Sequence, residues 1–195
     1  MIWKEWSMGE EEKDVLRRMH GEITRCTACP LHESRKNAVP GEGPLDARLM
    51  LIGEAPGVEE DETGRPFCGR SGDFLDELFD DVGLDRAETY ITSVVKCRPP
   101  GNRNPHVEER DTCQELWLNE QIELVDPDIV LLLGKIALRQ VLDDNGTLRA
   151  LHGQVRAVGG RRYVMTYHPA AGMRFPDAAQ RMREDFQLLR DLLAE

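Results

Sequence analysis

Short apolar runs alternate with amphipathic stretches along the chain. The run Leu49–Ile52 contains no polar residue, which predicts a strand buried on both faces, as in a parallel sheet. Strands alternating with helices favour a three-layer α/β/α fold around a central, mostly parallel sheet. The other strands are predicted over residues 89–95, 129–133, 155–158 and 161–166, and the helices over 10–23, 71–82, 106–125, 135–142 and 177–193.

The 195 residues are expected to form one domain, because no linker divides them and the length suits a single core. Residues 1–9 are expected to be flexible. No apolar stretch approaches the roughly 18 residues that span a bilayer, and the acidic N-terminus does not resemble a signal peptide. We therefore expect a cytoplasmic protein without a membrane partner.

The first strand ends in a turn, Gly53-Glu-Ala-Pro-Gly57, that is rich in glycine and proline. In open α/β sheets, ligands bind in the crevice beyond the carboxyl ends of the strands. Gly53 and Gly57 would let the backbone approach such a ligand, and Glu54 would point into the opening. A simple strand-to-loop turn with a solvated Glu54 explains these residues equally well.

Net charge of −11 argues, by itself, against a nucleic-acid partner, because phosphate binding favours a basic surface. The acids total 36 and the basic residues are nearly all arginine, a composition that suits a protein working in high salt. In high salt the overall charge is screened, so the local pattern matters more. Local basic residues are Lys96, Arg98 and Arg103, followed by Arg161, Arg162 and Arg174.

Four of the five cysteines form two groups, Cys26 with Cys29 and Cys97 with Cys113, whereas Cys68 is left over. Thiolates in loops and at helix edges are typical of a metal site, and a reducing compartment disfavours disulfides. Spacing alone does not separate zinc from an iron-sulfur cluster, since both accept four thiolates. His20 and His32 are expected at the surface rather than as substitute ligands for zinc.

Four motifs follow one another along the chain. They are Gly53-Glu-Ala-Pro-Gly57, Gly64-Arg-Pro-Phe67 with Gly69-Arg-Ser-Gly72, Val94-Val-Lys-Cys-Arg-Pro-Pro-Gly-Asn-Arg103, and His168-Pro-Ala-Ala171. Together they resemble the family-four uracil-DNA glycosylases, the iron-sulfur group, from about Cys26 to the C-terminus. The resemblance implies a four-stranded parallel sheet between helices. It also implies excision of uracil from single- and double-stranded DNA, which leaves an abasic site.

The resemblance also implies roles for single residues. It makes His168 the hydrogen-bond donor to uracil O2 and Phe67 the aromatic that stacks on the flipped base. Glu54 would stabilise the positive sugar or position the attacking water, beside a pocket wall that includes Gly53, Ala55 and Gly57. The metal would be a [4Fe-4S] cluster on Cys26, Cys29, Cys97 and Cys113, and the DNA backbone would meet Gly69, Ser71, Lys96, Arg98 and Arg103. Ser71 is also expected to be the N-cap of the helix that follows it.

The chain departs from the family pattern at two places. Many family members carry asparagine where this chain has Ser93, and a serine hydroxyl does not span uracil N3–H and O4 as an amide does. After the His168 motif, the family usually presents a leucine-rich wedge. Here Gly172-Met-Arg174 stands instead, which makes Met173 the expected wedge and Arg174 a phosphate contact.

Three functions are compatible with these motifs and cysteines. The first is a monofunctional uracil-DNA glycosylase, expected to act as a monomer, with base preference open because of Ser93. The second is a non-catalytic iron-sulfur module that binds or scans DNA. The third is a cluster-bearing electron carrier, which the complete set of pocket motifs disfavours.

Overall fold

A computed structural model describes residues 10–195 of the protein, and the expected flexible stretch over residues 1–9 lies outside the described residues. The strands are β1 (Leu49–Gly53), β2 (Thr89–Ser93), β3 (Ile129–Leu133), β4 (Val155–Val158) and β5 (Arg161–Thr166). The helices are α1 (Glu10–Arg25), α2 (Val58–Thr63), α3 (Arg70–Val82), α4 (Val107–Cys113), α5 (Asn119–Val125), α6 (Lys135–Leu142), α7 (Leu148–Leu151), α8 (Pro169–Gly172) and α9 (Pro176–Leu193).

The five strands form one sheet in the order β2-β1-β3-β5-β4. The first four strands in this order are parallel, which confirms the predicted mostly parallel sheet. The strand β4 is antiparallel to β5 and adds a fifth strand to the four that the resemblance implied. Gly159 and Gly160, both at positive φ, form the tight turn that joins β4 to β5. Because the parallel strands share one direction, their carboxyl ends meet at one edge.

Two apolar layers sandwich the sheet, since alternate strand residues face opposite sides. On one face, Met50 and Ile52 of β1 belong to a core that includes residues of α1, α5 and α6. On the other face, Leu49 and Leu51 pack in a core with α3 and α9. The predicted three-layer α/β/α arrangement is confirmed.

Element boundaries differ from the prediction at two positions that matter for the site. The helix α3 begins at Arg70 with Gly69 as its N-cap, so Ser71 is the second helical residue and the expected N-cap role of Ser71 is wrong. The predicted helix over 106–125 is interrupted after Cys113 by a π-helical turn, Gln114–Leu118, that joins α4 to α5. No described helix is both long enough and apolar enough to cross a membrane.

Candidate active site

A cavity of about 700 Å³, here called the base pocket, opens beyond the carboxyl ends of β1, β2 and β5. It lies where the topology of an α/β sheet favours ligand binding. Residues of all four sequence motifs converge on it, although these motifs are up to 118 positions apart in the chain, from Gly53 to Ala171. The predicted site residues that line it are Glu54, Ala55, Gly57, Phe67, Gly69, Ser71, Ser93, Arg103, His168, Met173 and Arg174.

His168 follows the end of β5 and is the N-cap of α8. Its Nδ1 accepts a hydrogen bond from the backbone N–H of Ala170 at 3.2 Å. In a neutral imidazole the proton must then be on Nε2, which leaves Nε2–H free to donate. Burial lowers the pKa of His168 to about 4, so the ring is neutral at ordinary pH. The site therefore holds a neutral, oriented donor.

Phe67 forms one wall of the base pocket in a left-handed backbone conformation, φ 47°. Its ring lies 5.8 Å from the ring of His168, with 32° between the planes. Gly72 makes this turn possible, because a Cβ there would lie 1.8 Å from the carbonyl oxygen of Phe67. The aromatic wall is thus fixed by the backbone as well as by packing.

Gly53 and Ser93 end β1 and β2 and pair directly with each other across the sheet. A Cβ on Gly53 would lie 2.9 Å from the Phe67 ring and 3.1 Å from Ser93 Oγ, so glycine leaves the space that both side chains occupy. Gly53 itself lies beneath the pocket rather than on its surface. The Ser93 side chain forms no hydrogen bond with the described residues, although the residue is only 6% exposed. Its hydroxyl is therefore available to a ligand.

Glu54 is half-buried at the opening of the base pocket. The backbone N–H of Val95 donates to its carbonyl oxygen at 3.2 Å, which ties the turn after β1 to the end of β2. Burial raises the pKa of the Glu54 carboxyl, and the positive charge of Arg110 acts in the opposite direction. Glu54 and His168 thus face one cavity with different electrostatic surroundings.

Three arginines, Arg70, Arg103 and Arg174, line the base pocket, and they differ in how their side chains are held. Arg103 donates twice to Glu109, at 2.7 and 2.9 Å, so its guanidinium is held in a bidentate pair. Arg174 is exposed, and its side chain makes no hydrogen bond or ion pair with the described residues. Arg98 bonds to Asn102 Oδ1 at 2.7 Å, lies 3.9 Å from Asp61, and does not line the pocket.

The expected contact of Lys96 with DNA is wrong. Lys96 is 1% exposed, and its Nζ donates to Thr92 Oγ1 and to the carbonyl oxygen of Ser93, both at 2.7 Å. Burial lowers its pKa to about 8. Lys96 is therefore a buried support for the end of β2, because its side chain is enclosed on the inner side of the loop.

A second, smaller cavity, here called the cysteine cavity, is lined by Cys26, Cys29, Cys97 and Cys113. Ile23, Leu116 and Trp117 make its walls largely apolar. The guanidinium of Arg35 donates to Cys97 Sγ at 3.0 Å. Burial raises the pKa of the Cys29 and Cys97 thiols, and that of Cys113 to about 12. The two predicted pairs of cysteines therefore share one enclosed site.

The cysteine cavity has a donor set that fits a cluster, namely four thiols within apolar walls and one N–H directed at a sulfur. No three His, Cys, Asp or Glu side chains in the described part of the chain converge closely enough to hold a single metal ion. Of the two candidate histidines, His32 lines the cavity and bonds to Cys29 O, whereas His20 bonds to Tyr90 OH. His20 and His32 are both half-buried rather than fully at the surface, and burial lowers the pKa of His20 to about 4.

Two residues with unusual exposure were not singled out from the sequence. Phe175 is 61% exposed, more than Met173 at 43%, and follows the same short helix. Arg110 is 6% exposed inside α4. Phe175 could have been predicted, because it is an apolar residue shortly after the His168 motif. The burial of Arg110 could not, because a charged residue in an amphipathic helix normally indicates a solvated face.

Comparison with known proteins gives one consistent family. A family model described as "Uracil DNA glycosylase superfamily" matches residues 40–192. The chain is similar to a Type-4 uracil-DNA glycosylase of Thermotoga maritima, 45% identical over 150 residues, which cover 76% of this chain and 78% of that protein. It is also similar to the Type-4 uracil-DNA glycosylase of Pyrobaculum aerophilum, 40% identical over 89% of this chain and 92% of that protein. A Type-5 uracil-DNA glycosylase of the same organism is 38% identical over 68% of this chain.

Proposed function

Because the chain belongs to the uracil-DNA glycosylase superfamily, as a Type-4 uracil-DNA glycosylase, we propose that it excises uracil through the base pocket with His168 and Glu54 as its catalytic residues. The enzyme is a DNA repair hydrolase that breaks the N-glycosidic bond and leaves an abasic site. The observation that most supports this use of the pocket is that His168 Nε2–H and the Glu54 carboxyl belong to one cavity.

Cleavage of the N-glycosidic bond leaves negative charge on the uracil and positive charge on the sugar. Each of the two catalytic residues acts on one of these fragments. The uracil that leaves carries negative charge on its carbonyl oxygens, and the sugar becomes oxocarbenium-like. His168 donates from Nε2 to O2 of the leaving uracil, and its neutral state means that the ring keeps its proton. A fixed donor at a developing oxyanion contributes about 3 to 4 kcal/mol.

Glu54 acts on the sugar side of the bond. In its ionised form the carboxylate stabilises the positive sugar and accepts a hydrogen bond from the water that attacks it. The target base is unreachable within the stack, so the nucleotide is flipped out at a cost of a few kcal/mol. Phe67 then stacks on the base, and Ser93 contacts its polar edge.

We propose that Cys26, Cys29, Cys97 and Cys113 hold a [4Fe-4S] cluster. The cluster would supply four iron-sulfur bonds that cross-link the loop after α1, which carries Cys26 and Cys29, to the loop after β2 and the end of α4, which carry Cys97 and Cys113. The shared cavity, the apolar walls and the N–H of Arg35 support this ligand set. Its role is structural, because it fixes the segment between Cys97 and Cys113 that carries Arg103.

DNA, single- or double-stranded, approaches over the rim of the base pocket. Arg174 has a free guanidinium for a phosphate, and the N-terminus of α3 at Gly69 and Ser71 faces the same opening. Met173 and Phe175 are exposed apolar side chains that can enter the gap left by the flipped base. We propose that the protein acts on DNA as a monomer.

One observation favours a second candidate, a glycosylase with broader base preference. Ser93 is shorter than the amide of the family pattern, and its hydroxyl has no partner among the described residues. A hydroxyl can donate or accept as the base requires. This site would therefore discriminate less strongly against other deaminated bases.

The test is base release from oligonucleotides that contain uracil, hypoxanthine, xanthine or thymine, measured in parallel by alkali cleavage across a broad salt range. Release of uracil alone supports the first candidate, and comparable release of hypoxanthine or xanthine supports the second. Binding without release of any base would support a non-catalytic DNA-binding module and reject both.

A further inference from the structure

Asp185 is a buried carboxylate on α9, behind the end of β5, and is 2% exposed. Thr166, the last residue of β5, donates from Oγ1 to Asp185 Oδ2 at 2.6 Å, and the ring Nδ1 of His152 lies 3.1 Å from Asp185 Oδ1. A carboxylate is costly to bury unless it is hydrogen-bonded in this way. Neither Asp185 nor Thr166 lines the base pocket, so the position of this carboxylate calls for a role other than contact with the substrate.

A neighbouring arginine determines where the protons of this site lie. A guanidinium only donates, and Arg181 Nη1 lies 2.8 Å from His152 Nε2, so Nε2 accepts. The proton of the neutral ring is then on Nδ1, which donates to Asp185 Oδ1. Arg181 and Asp185 are four residues apart on α9 and therefore share one helix face. The four side chains, Thr166, Asp185, His152 and Arg181, are here called the Asp185 network.

The Asp185 network is joined to the base pocket by the short segment from Thr166 to His168, which stands two residues later in the chain. The carbonyl oxygen of Thr166 accepts from the backbone N–H of Gly134 at 3.0 Å. Tyr167, between the two residues, has its ring 5.6 Å from the ring of His152. A Cβ on Gly134 would lie 3.2 Å from His168 Cβ, so the backbone after β3 packs closely against His168. The backbone position of His168 therefore depends on how firmly Thr166 is held.

We propose that Asp185 is a positioning residue for base excision, because it fixes Thr166 and thereby the backbone from which His168 donates to uracil O2. This inference rests on the proposed catalytic role of His168. The Nε2–H of His168 must meet the uracil oxygen when the flipped nucleotide enters the base pocket, and a displacement of about 1 Å can cost on the order of 10²-fold in rate. The hydrogen bond from Thr166 joins the end of β5 to α9, so it resists movement of the strand end away from the helix.

The test compares two substitutions that separate the hydroxyl of Thr166 from its methyl group. Thr166→Val keeps the shape and loses the hydrogen bond, whereas Thr166→Ser keeps the hydrogen bond. We expect the single-turnover rate of uracil release at saturating enzyme to fall roughly tenfold in Thr166→Val and to stay within about twofold of the wild type in Thr166→Ser. The enzyme concentration at half-saturation should not change, because the rim that meets DNA is unaltered. A slow Thr166→Ser with a normal Thr166→Val would assign the effect to methyl packing and overturn the inference.

Thr89→Val is the matched control. Thr89 is also a buried threonine, and its hydroxyl donates to the carbonyl oxygen of Asp85 at 3.3 Å. It begins β2, at the end of the strands opposite the base pocket. Both valine variants should lower the melting temperature, because each loses a hydrogen bond, but only Thr166→Val should lower the rate. Equal rates in the two variants would overturn the inference.

Double variants show whether the effect acts through Asp185 and His168. Asp185→Leu offers no acceptor, so it should slow release as Thr166→Val does, and adding Thr166→Val to it should cause no further loss. This double variant leaves no polar group unpaired at the contact, so it also provides the measurement if either single variant does not fold.

In His168→Ala, the added Thr166→Val change should likewise have no effect, and a further loss of similar size would overturn the inference. A near-normal rate in His168→Ala alone would instead reject the proposed function of His168, which keeps the two failures distinct.

Discussion

The base pocket and the cysteine cavity both bury titratable groups, but burial has opposite consequences in the two sites. Burial makes His168 neutral, with a pKa of about 4, and the neutral ring is the form that the proposed donation to a leaving uracil requires. In the cysteine cavity, burial raises the pKa of Cys113 to about 12, whereas iron binds the deprotonated thiolate. The pocket is thus organised by the protein alone, whereas the thiols reach their binding form only together with a positively charged ligand.

This comparison makes the two sites separable by mutation. Changes in the base pocket should alter the chemical step and leave iron content and stability intact. Changes in the cysteine cavity should alter iron content and stability first, and activity as a consequence.

The largest effect is expected for His168→Ala. The variant loses one fixed donor to the uracil anion, worth about 3 to 4 kcal/mol, so the rate of base release should fall by roughly 10² to 10³. Iron content and melting temperature should stay at wild-type values. Single-turnover release of uracil measures the rate, and His106→Asn, at an exposed helix N-cap, should remain within about twofold of the wild type. A His168→Ala rate near that of the wild type would remove His168 from the mechanism.

Cys97→Ser is expected to have the largest effect on stability. Iron content should fall to near zero and the melting temperature by about 5 to 10 °C, because the cross-link between two loops is lost. Metal analysis and thermal unfolding measure both. The matched control is Cys68→Ser, since Cys68 lies outside the cysteine cavity and should keep full iron content. A Cys97→Ser protein that is stable and active without iron would show that the cluster has no structural role.

A smaller effect is expected for Gly53→Ala, which crowds the base pocket from below. The added methyl group would lie 2.9 Å from the Phe67 ring, so the stacking wall must shift, and kcat/KM should fall about tenfold. Gly21→Ala in α1, where a Cβ meets only the end of Arg25 at 3.8 Å, should keep the wild-type kcat/KM. Steady-state kinetics on uracil-containing DNA measures kcat/KM for both variants. A wild-type kcat/KM in Gly53→Ala would mean that the Phe67 ring shifts at little cost.

The smallest effect is expected for Arg174→Gln at the rim. Loss of one phosphate contact should weaken DNA binding uniformly and reduce the slope of log affinity against log salt by about 1. Arg183 already pairs with Asp81 of α3, so Arg183→Gln should keep the wild-type slope. Binding isotherms at several salt concentrations measure both. If the slope of log affinity against log salt decreases equally in both variants, the cause is the general change in protein charge rather than a phosphate contact at the rim.

Sequence periodicity predicted most of the fold because buried strands and amphipathic helices leave simple patterns. The run Leu49–Ile52 is all apolar because two layers of helices cover it, and β4 and β5 were recognisable from the glycine pair between them. Ser71 was misassigned as an N-cap because a glycine N-cap offers no side-chain signal. Helix boundaries of this kind depend on backbone geometry that composition does not encode.

The members of the base pocket were predictable as motifs, but their electrostatic surroundings were not. The sequence around Lys96 indicates a basic loop. Only the fold shows that this side chain is buried and donates a hydrogen bond to Thr92. Arg110 has the sequence context of a solvated helical residue, yet it is buried. Burial of single charges results from tertiary packing, which local patterns do not specify.

The left-handed turn at Phe67 limits how this enzyme can acquire a new substrate. A side chain at Gly72 would collide with the Phe67 carbonyl oxygen, so position 72 accepts no larger residue while this turn is kept. Ser93, at the end of β2, has no left-handed backbone that would restrict the residue type there. Selection for removal of other damaged bases should therefore accumulate substitutions at position 93 and leave the Phe67 turn untouched.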